Sequence, residues 1–211
     1  MSEDDFSVDG IPLPLSTPDE DAWESYLTSS MEQLGAESAT GLTNKQLAGL
    51  ERLVGATLPF EVGLLLVMGV PEAEGWWQWR ENPAEQLTEW NTKVVDGVLF
   101  DVEHNGVWLS SWGARPDTVT DRQNTVKARI ASAPPLLPIF GHRAIPLTSA
   151  RGAETAESNP VLSIYGSDIV VYGTDLADWL HHEFEVPLPL WSKASDRWFP
   201  VWSEFIEANQ S

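Results

Sequence analysis

Residues 158–184, SNPVLSIYGSDIVVYGTDLADWLHHEF, constrain the fold more than any other stretch of the chain. Residues 161–165 and 169–172 are apolar, β-branched runs with Gly166-Ser167 between them. A Gly-X pair between two such runs predicts a tight hairpin, because glycine supplies the positive φ that a type II′ turn needs at its first position. The second run is apolar on both faces, which predicts a strand covered on both sides rather than an edge. Gly173 then ends the strand, and Thr174 is placed to cap a helix. Leu176, Trp179, Leu180 and Phe184 give that helix one apolar stripe. Asp175 and Asp178 in its first turn, and His181 and His182 near its end, complement the helix dipole. Hairpin plus docked helix is the expected centre of the fold.

Ahead of this unit the chain reads as helices. Thr17-Pro18-Asp19-Glu20 forms a capping box with proline at the first helical position. Trp23, Tyr26, Leu27, Met31 and Leu34 follow at helical steps, and Gly35 is a stop. Thr43 and Gln46 form a second capping box, with Leu42 and Leu47 at the staple positions and Gly55 at the left-handed end. Leu58-Pro59 opens a third helix, with Phe60, Leu64, Leu65 and Met68 expected inward and Gly69 closing it.

Residues 75–80, GWWQWR, are the first expected strand, followed by a helical segment around residues 85–91. Residues 98–103 alternate Val98, Phe100 and Val102 against Leu99, Asp101 and Glu103. With Asn105-Gly106 as a type I′ signal and residues 107–109 as the return strand, they predict a second hairpin. Residues 115–130 predict a further helix, and residues 136–140 and 144–147 short extended pieces. A polar loop covers residues 149–159, residues 186–191 are extended, and a last helix near residues 198–206 turns Trp198, Trp202, Phe205 and Ile206 inward. Helices first, then hairpins with helices docked on them, predict an α+β fold with N-terminal helices on a mixed or antiparallel sheet.

Length and charge bound the rest. At 211 residues, a disordered acidic leader over residues 1–16 and one domain over residues 17–211 is the expected organisation. Cysteine is absent, which excludes disulfides, thiolate metal sites and a thiol nucleophile. No apolar run reaches the roughly 18 residues of a membrane span. The start, MSEDDFSVDG, lacks the basic and apolar parts of a secretory signal, so a cytoplasmic protein is expected. Twelve Lys+Arg against 32 Asp+Glu give a net charge of −20, and residues 1–44 hold ten acids and no Lys or Arg. That surface disfavours nucleic acid and favours basic partners; solubility alone is the competing reading.

Four constellations could carry chemistry. In His181-His182-Glu183 the adjacent histidines point about 100° apart on a helix, which suits a solvated helix end better than a shared metal. His142 in Gly141-His142-Arg143 could act as a base, or make backbone bonds in a tight connection. Asp101 and Glu103, on one side of the expected strand about 7 Å apart, could serve as a glycosidase pair, hold a cation, present charge to a basic partner, or line a solvated face. Trp76, Trp77 and Trp79, with Trp90, Trp108 and Trp112 close behind, could be core, interface anchors or a sugar platform. Trp77 and Trp79 should share one face, with Trp76 on the other. No phosphate loop, dinucleotide fingerprint, nucleophile elbow or zinc-protease motif is present. The expected site is therefore a partner-binding one of Trp76, Trp77, Trp79, Asp101 and Glu103, with no catalytic residue, cofactor or metal.

Gly41-Leu42-Thr43, Leu58-Pro59, WLSSWG at residues 108–113, LPIFGHR at 137–143 with Ile145-Pro146, NPVLSIY at 159–165, DIVVYGTDLADWL at 168–180 and residues 198–202 stand in a characteristic order. In these motifs the chain resembles bacterial proteins of the SUKH superfamily, the group of the fungal Smi and Knr cell-wall assembly regulators. The resemblance spans roughly residues 20–206 and is strongest over 137–184. It implies a SUKH-like α+β domain. It also implies a role as an immunity protein that binds and neutralises a polymorphic toxin, often a nuclease, or as a regulatory scaffold of cell-envelope synthesis. It carries no catalytic set. A carbohydrate-binding protein or hydrolase using the tryptophans with Asp101 and Glu103 is the remaining alternative.

Overall fold

A computed structural model describes residues 20–36, 39–147, 158–192 and 197–210. The expected leader over 1–16, the cap at Thr17 and most of the polar loop over 149–159 lie outside the described residues. In chain order the elements are α1 (Glu20–Gln33), α2 (Asn44–Val54), α3 (Phe60–Met68), α4 (Pro83–His104), α5 (Val119–Ser132), β1 (Leu136–Phe140), β2 (Arg143–Pro146), β3 (Val161–Tyr165), β4 (Asp168–Gly173), α6 (Leu176–Phe184) and α7 (Trp202–Gln210). The four strands form one antiparallel sheet in the order β1-β2-β3-β4. The fold is α+β, with helices on both faces of the sheet.

Strand alternation divides the core in two. Leu137, Ile139, Ile145 and Val161 face Trp23, Leu27, Leu50, Val62, Leu65 and Trp179 of α1, α2, α3 and α6. Leu136, Ala144, Leu162, Ile164 and Ile169 face Trp90, Val94, Val98 and Val102 of α4, Val126 of α5, and Trp202 and Phe205 of α7. The local signals of α2 hold in detail. Gln46 N–H donates to Thr43 Oγ1, the Thr43 N–H donates to Gln46 Oε1 at 2.9 Å, and Gly55 closes the helix at φ 75°. The hairpin of β3 and β4 forms with Gly166 at φ 60°. Helix α6 is capped by Asp175, one residue later than expected. Its carboxylate accepts from Asp178 N–H at 2.7 Å, while Asp178 accepts from Thr174 N–H and hydroxyl. A charged cap reinforces the dipole term that a threonine hydroxyl lacks.

Three strand expectations change. Residues 98–103 and 107–109 form no hairpin: α4 continues to His104. Trp90, Val94, Val98 and Val102 stand four apart and are each at most 5% exposed. That seam outlasts the short stretch in which the same valines alternate, so the helical period wins. Asn105 stays at negative φ and serves as the C-cap rather than a hairpin corner. Residues 75–80 form a single bridge, Trp76 with Phe140, instead of a strand. Gly75 O accepts from Gly141 N–H and Trp77 N–H donates to Ile139 O, so this segment covers the outer edge of β1. Strand β4, expected inside the sheet, is its other edge, with Val170 and Val171 38% and 44% exposed. Side chains close that edge: Asn209 donates to the carbonyls of Ser167 and Ile169, and His182 Nδ1 to that of Tyr172. Helices α6 and α7 pack on β4 and Ile169 is buried, whereas Val170 and Val171 stay exposed, so the apolar run marks no inner strand.

Smaller corrections concern helix faces. Phe60 and Trp198 are exposed; Val62, Leu65 and Leu66 fill the core from α3, and Phe199, Val201, Trp202 and Phe205 from α7 and the residues before it. Helix α5 starts at Val119 behind a Thr118 cap and buries Val126. Glu61 is buried on α3, and its Oε1 has no hydrogen-bond partner. Burial pushes its carboxyl above the usual range, against the hydrogen bond from Ser158 and the field of Arg197. A raised folded-state pKa favours folding below the unfolded value and loses that contribution as pH rises through the folded one. Glu61→Gln is therefore expected to gain stability over wild type at pH 8 and little at pH 4. Urea midpoints at both values check this, and an equal difference at the two would contradict it.

Candidate functional site: an acid-rimmed groove along α4

The outer face of α4 and the segment before it set Glu81, Glu85, Glu89 and Lys93 at four-residue steps. Glu85, Glu89 and Lys93 share one face of α4, and Glu81, ahead of the Asn82 N-cap, lines the same groove, so these charges form a rim. Against it stand the 75–78 segment, the β1–β2 turn at Gly141-His142 and the β3–β4 turn over residues 165–168. Together they enclose an open groove of about 1280 Å³. Trp90, Val94 and Ile164, all buried, supply an apolar floor. Phe100 and Tyr165 also line the groove and are 58% and 77% exposed.

The β3–β4 turn is fastened to α4 by a close backbone approach and a carboxylate. A Cβ on Gly97 would lie 2.9 Å from Gly166 Cα, so only glycine lets the turn seat there. Asp101 Oδ2 accepts from the Ser167 N–H at 2.7 Å and the Ser167 hydroxyl at 2.8 Å, and Oδ1 from the Asn105 amide at 2.6 Å. Partial burial works to raise the Asp101 carboxyl, and the bonds from Ser167 and Asn105 outweigh it, leaving it below the usual range. A depressed folded-state pKa contributes stability above the unfolded pKa and loses it as pH falls through the folded value. Asp101→Asn is expected to cost about 1 kcal/mol at pH 7, and less where the wild-type carboxyl is protonated. Urea titrations at pH 7 and pH 3 measure it, and a loss that does not shrink in acid would contradict the role.

The groove collects five carboxylates, Glu81, Glu85, Glu89, Asp101 and Asp168, against one lysine. Lys93 is paired with Glu89 at 2.6 Å. His142 adds no firm charge: its own desolvation and the Arg143 guanidinium push its pKa down, partly offset by Glu183. The site is anionic around an aromatic and apolar floor.

The residues expected to bind a partner are distributed unevenly. Trp76 and Trp79 are 8% and 4% exposed. Trp76 stacks on Phe184 at 5.3 Å, and the Trp79 indole donates to Pro138 O. Trp77 is partly buried, stacks on Trp79 at 6.0 Å and donates to Gly141 O. These indoles chiefly hold the 75–79 segment against β1, though Trp76 and Trp77 also line the groove. Asp101 and Glu103 do not form the expected same-face pair, because two residues on a helix turn the chain by about 200°. Asp101 faces the groove, whereas Glu103 faces α5 and takes Arg122 Nε at 2.9 Å and Nη2 at 2.6 Å.

Elsewhere, candidate residues are held in structural bonds. His181 meets Val186 O, and Glu183 pairs with Arg143 at 3.0 Å, whose guanidinium lies 3.6 Å from the Tyr172 ring centre. Among the described residues no three His, Asp or Glu are grouped to hold a metal, and no helix is long and apolar enough to cross a membrane.

Neither protein-family models, nor curated proteins, nor solved structures match this chain. Glu81, Glu85, Glu89, Phe100, Tyr165 and Asp168 join the site only through the structure. The four-residue spacing of Glu85 and Glu89 is the one sequence signal that points to any of them. Phe100 and Tyr165 come from separate elements and carry no such signal.

Proposed function

We propose that the protein is a non-enzymatic, cytoplasmic, protein-binding protein of the immunity type, which neutralises a toxin by covering a basic functional surface. The observation that carries this reading is the groove, where five carboxylates surround exposed aromatic rings. Carboxylates positioned this way compete with phosphates for a nuclease's cations, and aromatic residues anchor the contact. The resemblance to the SUKH superfamily supports the same reading, and so does the net charge of −20. The mechanism needs no cofactor: binding is steric and electrostatic, and the toxin's own substrate is shut out.

The test is capture from lysate of the native host at about 50 mM and about 500 mM salt, a range over which the screening length falls severalfold. The reading expects a basic partner carrying a toxin domain, weakened at high salt and lost with Glu85→Lys/Glu89→Lys. Cell-envelope enzymes retained at both salts would replace it with the regulatory-scaffold reading.

A further inference from the structure

We propose that the groove receives an extended, arginine-bearing segment of the partner, about seven residues long and lying along α4. This rests on the protein-binding reading above and specifies which part of the partner enters. From Glu85 to Asp101 the helix advances about 24 Å, which matches about seven residues of extended chain.

The chemistry of the walls selects the cation. Among the described residues, the carboxylates of Glu81, Glu85 and Asp168 have no ion-pair partner. They share the groove with Phe100 and Tyr165, which are largely exposed, Phe100 beside the His104 ring at 4.5 Å and Tyr165 beside the His142 ring at 6.3 Å. A guanidinium is planar, stacks on such rings and forks onto a carboxylate; an ammonium does neither as well.

The floor holds a donor that an occupant can use, although Trp112 and Trp179, away from the groove, also keep an unpaired indole N–H. Trp90 is 3% exposed, lines the groove, and its indole N–H meets no acceptor. Trp77, only partly buried, stands nearly perpendicular to it at 5.8 Å. A backbone carbonyl of the segment, entering as Trp77 turns aside, gives that donor a partner.

The sheet edges fix the mode of entry. The outer edge of β1 is covered by residues 75–77, and on β4 the carbonyls of Ile169 and Tyr172 are taken by Asn209 and His182. The segment therefore does not extend the sheet and is held by side chains, which makes its composition decisive.

Fluorescence anisotropy with labelled heptaarginine, heptalysine and heptaglutamine tests this on the full chain at about 150 mM salt. Heptaarginine is expected to bind about fivefold tighter than heptalysine, heptaglutamine not at all, and tryptophan emission to shift on binding. Phe100→Ala/Tyr165→Ala, both exposed, should bring heptaarginine down to the heptalysine level. Glu81→Gln/Glu85→Gln should weaken both cationic peptides about tenfold, whereas Glu24→Gln/Glu32→Gln on the exposed face of α1 should not. Trp90→Phe, checked for an intact melting transition, should weaken heptaarginine with no change in its preference over heptalysine. Equal affinities for the two cationic peptides, untouched by the aromatic pair, would reduce the groove to general attraction by an acidic chain. Capture of a basic toxin that every groove variant retains would overturn the site and leave the immunity reading standing. Arginine-selective binding together with capture of envelope enzymes would do the reverse.

Discussion

Trp179→Ala is expected to destabilise the protein by about 3–5 kcal/mol, the range for deleting a large buried aromatic. Trp179 has no exposed surface and stands among Trp76 at 5.7 Å, Phe184 at 5.6 Å and Phe140 at 6.4 Å. It therefore joins α6 to the outer end of β1 and to the segment that covers that edge. Its backbone is also pressed against the end of β4: a Cβ on Gly173 would lie 2.6 Å from Trp179 Cα. Neighbours pinned this closely cannot collapse into the void, which places the loss high in the range. The indole N–H has no hydrogen-bond partner, so the loss is one of packing. Trp179→Phe should accordingly recover a large part of it. Urea unfolding at pH 7 reads the difference, and a cost under about 1.5 kcal/mol for alanine would show that this part of the core can close.

Gly41→Ala is the second large effect, of about 3 kcal/mol or more, at or above the upper end for overpacking. The chain before α2 crosses the end of α3 here, with Leu42 N–H donating to Leu66 O at 2.7 Å. An added Cβ would fall 1.8 Å from Val67 O, 2.4 Å from Val67 C and 2.8 Å from Gly69 N. All three are backbone atoms, so no side chain can swing away and α2 must separate from α3. Gly55→Ala is a useful contrast. It has φ 75° and nothing within 4 Å, leaving a left-handed strain of about 1–2 kcal/mol. Comparison of the two melting transitions separates steric from conformational cost. An equal loss in both would contradict the packing account of Gly41.

The parts of the fold legible in the sequence were those with local causes. The Thr43–Gln46 box, the Gly55 stop and the hairpin around Gly166 each depend on residues within a few positions. Local pattern misleads where a long-range partner decides. Val98 and Val102 fit both periods over six residues, and only the continuation back to Trp90 and Val94 selects the helix. The apolar β4 run belongs to an edge strand that buries Ile169 and leaves Val170 and Val171 exposed, which no local pattern distinguishes from an inner strand. The site was half legible for the same reason. Asp101 belongs to the groove, but through a helix rather than the expected strand. Glu103 shares a face with it only at a strand period, and on the helix it binds Arg122 instead. Trp76 and Trp79 stand out in a tryptophan-rich run, yet both pack at the edge of β1, and Trp76 also lines the groove.

The most direct test of the central account is a titration of the captured partner into the wild-type chain and into Glu81→Gln/Glu85→Gln from about 50 to about 500 mM salt. Electrostatic docking at the groove predicts that wild-type affinity falls by at least about tenfold over this range, with a visibly shallower dependence in the variant. A wild-type affinity insensitive to salt, or the same dependence in both proteins, would contradict the assignment of the acidic groove as the binding surface.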